Sequence, residues 1–301
     1  MKKTILITLF SIGITKNVYS QQDGQFINYM FNQETYNSSY GSSLEDTRIN
    51  FSTRQQWLGF EGNPKTNTLA FTMPLRKLAL GTSIINDRIG VNSQNYISLN
   101  CSYKTQLNYN TFLAVGLNPS FTNLVIDNLN LTVYDKTESE FSQNFTSQKF
   151  NIGSSIFLYN DRFYFGYSAP KLFHQTLIDD NATLLKNSVT HYLTAGYVFK
   201  VTDDLKIKPA TMYKYTKNSP LQLDLSINSL YKNKFNIGVN YKLNNSISTI
   251  LGIHLKNLFI AYSYDFLESN NISKNSIGSH ELFIRYDFSK QEKKLLTPRF
   301  F

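Results

Sequence analysis

Apolar and polar side chains alternate along most of this chain. Leu221, Leu223, Leu225 and Ile227 interleave with Gln222, Asp224, Ser226 and Asn228. Phe235, Ile237, Val239, Tyr241 and Leu243 do the same with Asn236, Gly238, Asn240 and Lys242. In a third segment Leu282, Ile284, Tyr286 and Phe288 alternate with Glu281, Phe283, Arg285 and Asp287. Successive side chains on a strand point to opposite faces, so each segment predicts a strand with one apolar and one largely polar face. A soluble sandwich shows the same period with its apolar face turned inward. Periodicity alone does not choose between them.

Lengths choose. About fourteen such segments lie between 47 and 289, among them 47–57, 188–201 and 277–289, and most run to about 10 residues or more. A tilted transmembrane strand needs about 9–11 residues, whereas soluble strands favour about 5–6. Connections alternate too. Tight turns are expected at Arg76-Lys77, Asn160-Asp161, Asp203-Asp204, Lys232-Asn233 and Lys256-Asn257, and longer loops at 58–64, 89–92, 124–148, 171–187 and 268–276. Short turns on one side and long loops on the other characterise bacterial outer-membrane barrels with even strand numbers. Lipid offers the backbone no hydrogen bonds, so a sheet crosses it only as a closed barrel. The predicted class is therefore an all-β, antiparallel transmembrane β-barrel of about 14 strands, with loops 124–148 and 171–187 outside.

Composition sharpens this picture. Twenty Tyr and 23 Phe stand against one Trp, and charged residues make up 17% of the 301 residues. Many aromatics fall at segment ends, as in Tyr262-Tyr264-Phe266, where interfacial girdles sit. Lys2 and Lys3 before an apolar run from Ile5 to Ile14, then Val18-Tyr19-Ser20, form the pattern of a signal peptide over 1–20. The polar segment 21–45 is expected either to plug the barrel or to lie beneath it. Residues 46–289 form the barrel and 290–301 a periplasmic tail. Three lysines and no acid lie in residues 1–20, so removing them lowers the formal net charge from +9 to +6. That excess suits an anionic lipid surface or an acidic partner rather than nucleic acid. The lone Cys101 cannot close an internal disulfide.

Several stretches in order resemble the PorP/SprF family of outer-membrane proteins associated with the type IX secretion system. Gln22-Asp23-Gly24-Gln25-Phe26 followed by Tyr29-Met30-Phe31-Asn32 looks like the family's opening motif, with Gly24 and Gln33 where proline is usual. The most specific match runs Arg54-Gln55-Gln56-Trp57-Leu58-Gly59-Phe60-Glu61-Gly62-Asn63-Pro64-Lys65-Thr66. Ser83-Ile84-Ile85-Asn86-Asp87-Arg88-Ile89-Gly90, the stretch Gly278 to Phe288 and the terminal Pro298-Arg299-Phe300-Phe301 complete it. The resemblance implies a non-enzymatic outer-membrane barrel that works with a secretion machine. It further implies export or surface retention of client proteins with C-terminal sorting domains, gliding adhesins among them, and contact with periplasmic components of the machine.

Chemistry is sparse. His174, His191, His254 and His280 fall on different segments without metal spacing, and His254 reads as a lumen hydrogen-bonding group. The pair Asp203-Asp204 reads as turn chemistry and Asp179-Asp180 as a solvated loop. No nucleophile stands with its base, no phosphate cradle is present, and no cofactor is expected. A passive porin is the alternative, lined by Lys206, Lys208, Lys214, Asp224, Lys242, His254, Glu281 and Arg285. Two groups are candidates for partner binding. Arg54, Trp57, Gly59, Phe60, Gly62 and Pro64 form a stiff loop at the barrel mouth, and Arg299, Phe300 and Phe301 end a basic tail.

Overall fold

The computed structural model describes residues 26–130, 143–179, 182–243, 246–267 and 276–288. The wall is built from β1 (Arg48–Gln55), β2 (Lys65–Leu75), β3 (Leu78–Ile89), β4 (Asn92–Gln106), β5 (Phe112–Ile126), β6 (Phe145–Tyr159) and β7 (Phe163–Ala169). A separate hairpin, β8 (Gln175–Asp179) with β9 (Ala182–Asn187), rises from the loop read as 171–187. The wall resumes with β10 (Thr190–Tyr197), β11 (Phe199–Lys200), β12 (Leu205–Thr216), β13 (Gln222–Tyr231), β14 (Phe235–Lys242), β15 (Ser246–Leu255), β16 (Leu258–Leu267) and β17 (Ser279–Asp287).

Every wall strand pairs antiparallel with its neighbours, and two junctions close the ring. β1 meets β17 in register Arg48 to Asp287 and Arg54 to Glu281. β10 lies between β7 and β12. β11 continues β10 along β12 beyond a break at Val198, whose buried side chain turns inward while its N–H donates to the Arg162 carbonyl at 2.7 Å. The expected strand 188–201 is thus one strand with a bulge, which bends a wall without opening it. Counted so, the barrel closes with 14 strands. The first strand is shorter than its expected 47–57 and leaves Trp57 in the following loop. Residues 89–92 tighten to a turn at Gly90-Val91, with Gly90 at φ +57°.

Alternation sets the two faces. On β2, Leu69, Phe71, Met73 and Leu75 point out while Thr66, Thr68, Ala70 and Thr72 are buried inside. On β14, Phe235, Ile237 and Val239 point out, and Asn236, Asn240 and Lys242 point in. The outward rows form the apolar band that hydrocarbon covers. Strands β4, β5 and β6, at 15 residues each, exceed what crossing requires, so the wall stands out of the membrane on that arc.

Candidate functional site

The lumen is filled from within the chain. Residues 26–44 are buried along their whole length and touch the wall on all sides. The segment begins at β17, where Glu281 accepts from the backbone N–H of Ile27 at 2.6 Å and of Asn28 at 3.3 Å. Ser263 of β16 donates to the Asn28 side chain at 2.8 Å. Tyr29 reaches Ser226 of β13 at 2.9 Å, and Asn32 reaches Thr68 of β2 at 3.4 Å. Asn37 then caps a 3₁₀ turn over Ser38–Ser43, its side chain accepting from Ser39 N–H at 3.1 Å. That turn lies against β6 and β4, with Ser39 N–H donating to Ser155 at 2.8 Å and Ser42 N–H to Ser102 at 3.1 Å. Short-range turns satisfy part of the segment's backbone and leave the N–H groups of Ile27, Asn28, Ser39 and Ser42 to the wall. Wall hydroxyls and a carboxylate supply their partners, as a buried backbone requires.

Aromatic and aliphatic side chains anchor the same segment. Phe31 packs edge-on against Phe259 at 5.0 Å between centroids and beside Phe283 at 6.1 Å, within a cluster that holds Ile27, Met30 and Ile250. Tyr36 stacks on Tyr192 at 5.5 Å, and Tyr40 packs against Phe157 at 5.3 Å. A barrel of this size leaves an interior between a packed eight-stranded core and an open porin. Here the chain provides its own core for that space.

Ion pairs complete the filling. Arg48 binds Asp287 at 2.7 Å and Glu34 of the inserted segment at 3.5 Å. Asn50 donates to the other Glu34 oxygen at 2.7 Å. Higher on the wall, Arg54 meets Asp265 at 3.2 Å and Glu281 at 3.6 Å. The residues proposed as a cationic lining are all inside and buried, and cation faces meet rings: Lys208 lies over Phe31 and Arg285 over Phe259. His254 stacks on Phe259 at 4.2 Å instead of making the expected side-chain hydrogen bond. Among the described residues no three His, Cys, Asp or Glu side chains gather to hold a metal.

The mouth loop is a stitched unit. Trp57 at φ +52°, Gly59 at +106° and Gly62 at +70° turn it sharply. Leu58 N–H donates to Gly278, and Ile277 N–H donates back to Leu58, both at 2.9 Å, so the loop is paired to the approach of β17. Gly90 N–H donates to Gly62 at 2.9 Å and ties it to the β3–β4 turn. Phe60 is exposed at its tip, while Pro64 is buried at its base. Arg54 parts from this group, because it sits inside the lumen in the ion pairs above and does not reach an outside partner. Its even position on β1, shared with Arg48, Asn50 and Ser52, was the signal for that. The signal peptide expected over 1–20 and the tail with Arg299, Phe300 and Phe301 lie outside the described residues.

A model of the family described as type IX secretion system membrane protein PorP/SprF matches residues 18–286. The chain belongs to the PorP/SprF family. This PorP/SprF barrel is also similar in fold to the CymD monoaromatic hydrocarbon channel, at 11% identity and a TM-score of 0.51 over 88% of this chain and 94% of that one. A Pseudomonas aeruginosa FadL homologue aligns at 12% identity and a TM-score of 0.47 over 91% and 96%. Identities this low speak to architecture alone. A search of curated proteins found no match. Closed barrel and family together make this PorP/SprF chain an outer-membrane protein associated with type IX secretion.

Proposed function

We propose that this PorP/SprF barrel is a binding and anchoring partner for secreted client proteins, such as adhesins with C-terminal sorting domains, and not a free-diffusion pore. The observation that carries the reading is the lumen segment 26–44, held to the wall by Glu281, Ser226, Thr68, Ser155 and Ser102. A segment bonded to the wall at five strands fills the lumen that free diffusion would need. What remains is a rigid cylinder that offers its two rims to partners. With short turns and termini in the periplasm, loops 127–144 and 170–189 stand at the cell surface beside the Phe60 loop. The mouth loop, fixed by its backbone ties to Gly278 and Gly90, supports a surface contact centred on Phe60. The rim that carries the termini is the place for periplasmic components of the same machine.

Gentle detergent extraction of the tagged protein tests this. The expected result is co-purification of a surface client and a periplasmic companion, with the client lost from Phe60→Ala while the barrel stays heat-modifiable. A large, stable conductance of the unmodified barrel in planar bilayers, with no companions recovered, overturns the proposal in favour of a porin.

A further inference from the structure

The two rims solve one backbone problem in different ways. At the long-loop rim, the described residues with left-handed φ are Trp57, Gly59, Gly62, Gly90, Asn218 and Gly278. Four of these six are glycines and one is asparagine, the residues that take this conformation most readily. At the short-turn rim the left-handed residues are Arg76 at φ +54°, Lys232 at +50°, Asn233 at +53° and Lys256 at +53°. None is glycine, and three are cations. Two-residue hairpins favour Gly, Asn or Asp at such positions. A long cationic side chain there works against the turn, so its charge has to serve something else.

Neighbouring residues point to what that is. Around the ring, the turns 232–234 and 256–257, the chain ends and the turn 76–77 follow one another, since β17 pairs with β1. This arc carries exposed Arg76, Lys77, Lys232, Lys234 and Lys256. The acids described on it are Glu45 and Asp46, where the chain enters β1, and the buried Asp287 at the end of β17. Asp204 adjoins it, its carbonyl accepting from Lys232 N–H at 2.7 Å. Two of the ammonium groups, those of Lys232 and Lys234, lie on the membrane side of the rim rather than over the lumen. Lys232 sits over the Tyr231 ring and Lys234 over the Phe235 ring, each 5.5 Å from the centroid, and both rings belong to the outward row. Aromatics bounding the apolar band lie at headgroup depth, and amines resting on them are at the level of lipid phosphates.

We propose that the short-turn arc Arg76, Lys77, Lys232, Lys234 and Lys256 is a binding site for anionic phospholipid headgroups. An acidic protein docked below the barrel would favour amines directed along the axis, away from the outward rings. Bound headgroups neutralise a row of like charges held in an unfavourable backbone conformation. They thereby fix the barrel's depth and tilt on one side of its circumference.

The test separates charge from turn geometry. Purified barrel in neutral detergent is titrated with phosphatidylglycerol or phosphatidylcholine, and bound lipids are counted by native mass spectrometry. The proposal expects a preference for phosphatidylglycerol that falls at least about tenfold in the triple variant Arg76→Gly, Lys232→Asn, Lys256→Gly, since each cation near an anionic surface contributes several-fold. The same variant relieves left-handed strain, so its urea midpoint without lipid should rise. A charge-matched control at the other rim, Lys65→Gln, Arg88→Gln, Lys149→Gln, should keep the preference. Three results overturn the site: no preference in the unmodified barrel, equal loss in both triple variants, or retained preference in the short-turn variant. If the arc instead captures only an acidic periplasmic polypeptide and no lipid, the lipid assignment is also wrong.

Discussion

Two arcs of the barrel wall hold the inserted segment by opposite means. From β2 to β6 most of the inward residues are small, with Tyr96, Phe157 and Tyr159 the large exceptions. The small ones include Thr66, Thr68, Thr72, Ala79, Gly81, Ser83, Ser102, Ala114, Gly116, Ser120 and Ser155. From β12 through β17 and on to β1, small residues such as Ser226, Ser248 and Ser263 alternate with long charged or aromatic ones, among them Lys208, Lys214, Asp224, Lys242, Phe259, Asp265, Glu281, Phe283, Arg285, Arg48 and Arg54. The small arc lets the backbone of Ser38–Ser43 lie directly on the sheet. A β-carbon added to Gly116 would sit 2.5 Å from the Ser39 nitrogen and 2.7 Å from the Ser38 hydroxyl oxygen. The charged arc stands off from the segment and reaches it through side-chain tips. The lesson is that one arc achieves close fit and the other satisfies polarity, so damage to each should look different.

The largest effect is expected on the charged arc. Arg48 is buried between Asp287 and Glu34, and removing one member of a buried ion network leaves the others desolvated without compensation. Arg48→Met should cost about 3–5 kcal/mol, read as a lower urea midpoint for unfolding in detergent micelles. Adding Glu34→Gln should recover part of the loss, because Asp287 keeps its pair with Arg285 at 3.5 Å and no stranded carboxylate is left on the segment. An Arg48→Met midpoint equal to that of the unmodified barrel would mean that water reaches this network and that the arc is not dry.

A middle-sized effect is expected on the small arc. Gly116→Val must push either β5 or the backbone of Ser39, and overpacking of this kind costs about 1–3 kcal/mol. Its signature differs from that of Arg48→Met. The wall has its own hydrogen-bonded ladder, so the inserted segment should give way first. Amides of residues 38–44 should lose hydrogen-exchange protection, and planar-bilayer conductance should appear, while the barrel stays heat-modifiable. By contrast, Gly41→Ala places its carbon 3.0 Å from the Thr72 methyl, a side chain with some freedom, and should be nearly silent. Should Gly116→Val unfold the whole barrel instead, segment and wall fold as one unit.

Much of the wall was legible in the sequence because a strand's period of two carries its own orientation. Leu223 to Ile227 and Phe235 to Leu243 needed no partner to declare their faces. Tight turns at Lys232-Asn233 and Lys256-Asn257 fixed the hairpins, and the even number of strands fixed closure. The filling was less legible, since residues 26–44 form no long element and have no period that names a wall. Its trace lay in places where alternation failed. Leu258-Phe259-Ile260-Ala261 and Leu282-Phe283-Ile284 are apolar on both faces, which a water-filled lumen would not favour. Gly116 and Gly153 fall on inward positions of β5 and β6, where a strand glycine marks close backbone approach. Arg54 misled in another way: it neighbours the mouth motif in sequence, yet its parity on β1 sends it inside. The hairpin of β8 and β9 within 170–189 was hidden by the polar composition that marked the stretch as a loop.

The smallest effect should come from pH, and it bears on how the two arcs share the segment. Glu34 is the single ionisable acid between Phe26 and Leu44, and no Lys or Arg accompanies it. Burial holds its carboxyl above the ordinary range, although the Arg48 guanidinium beside it pulls the other way. The docked segment therefore binds a proton more tightly than the released one. Docking is strongest below the ordinary carboxyl value of about 4.3 and weakens as pH rises from there to the raised value, beyond which it is flat. For one group the slope stays below about 1.4 kcal/mol per pH unit. Hydrogen exchange of amides 27–44, corrected for intrinsic rates, should show more protection near pH 4.5 than near pH 7.5. Glu34→Gln should remove most of that difference, because its amide still accepts from Asn50 but no longer titrates. If Glu34→Gln keeps the full pH dependence, groups of the wall govern docking rather than the acid the segment brings.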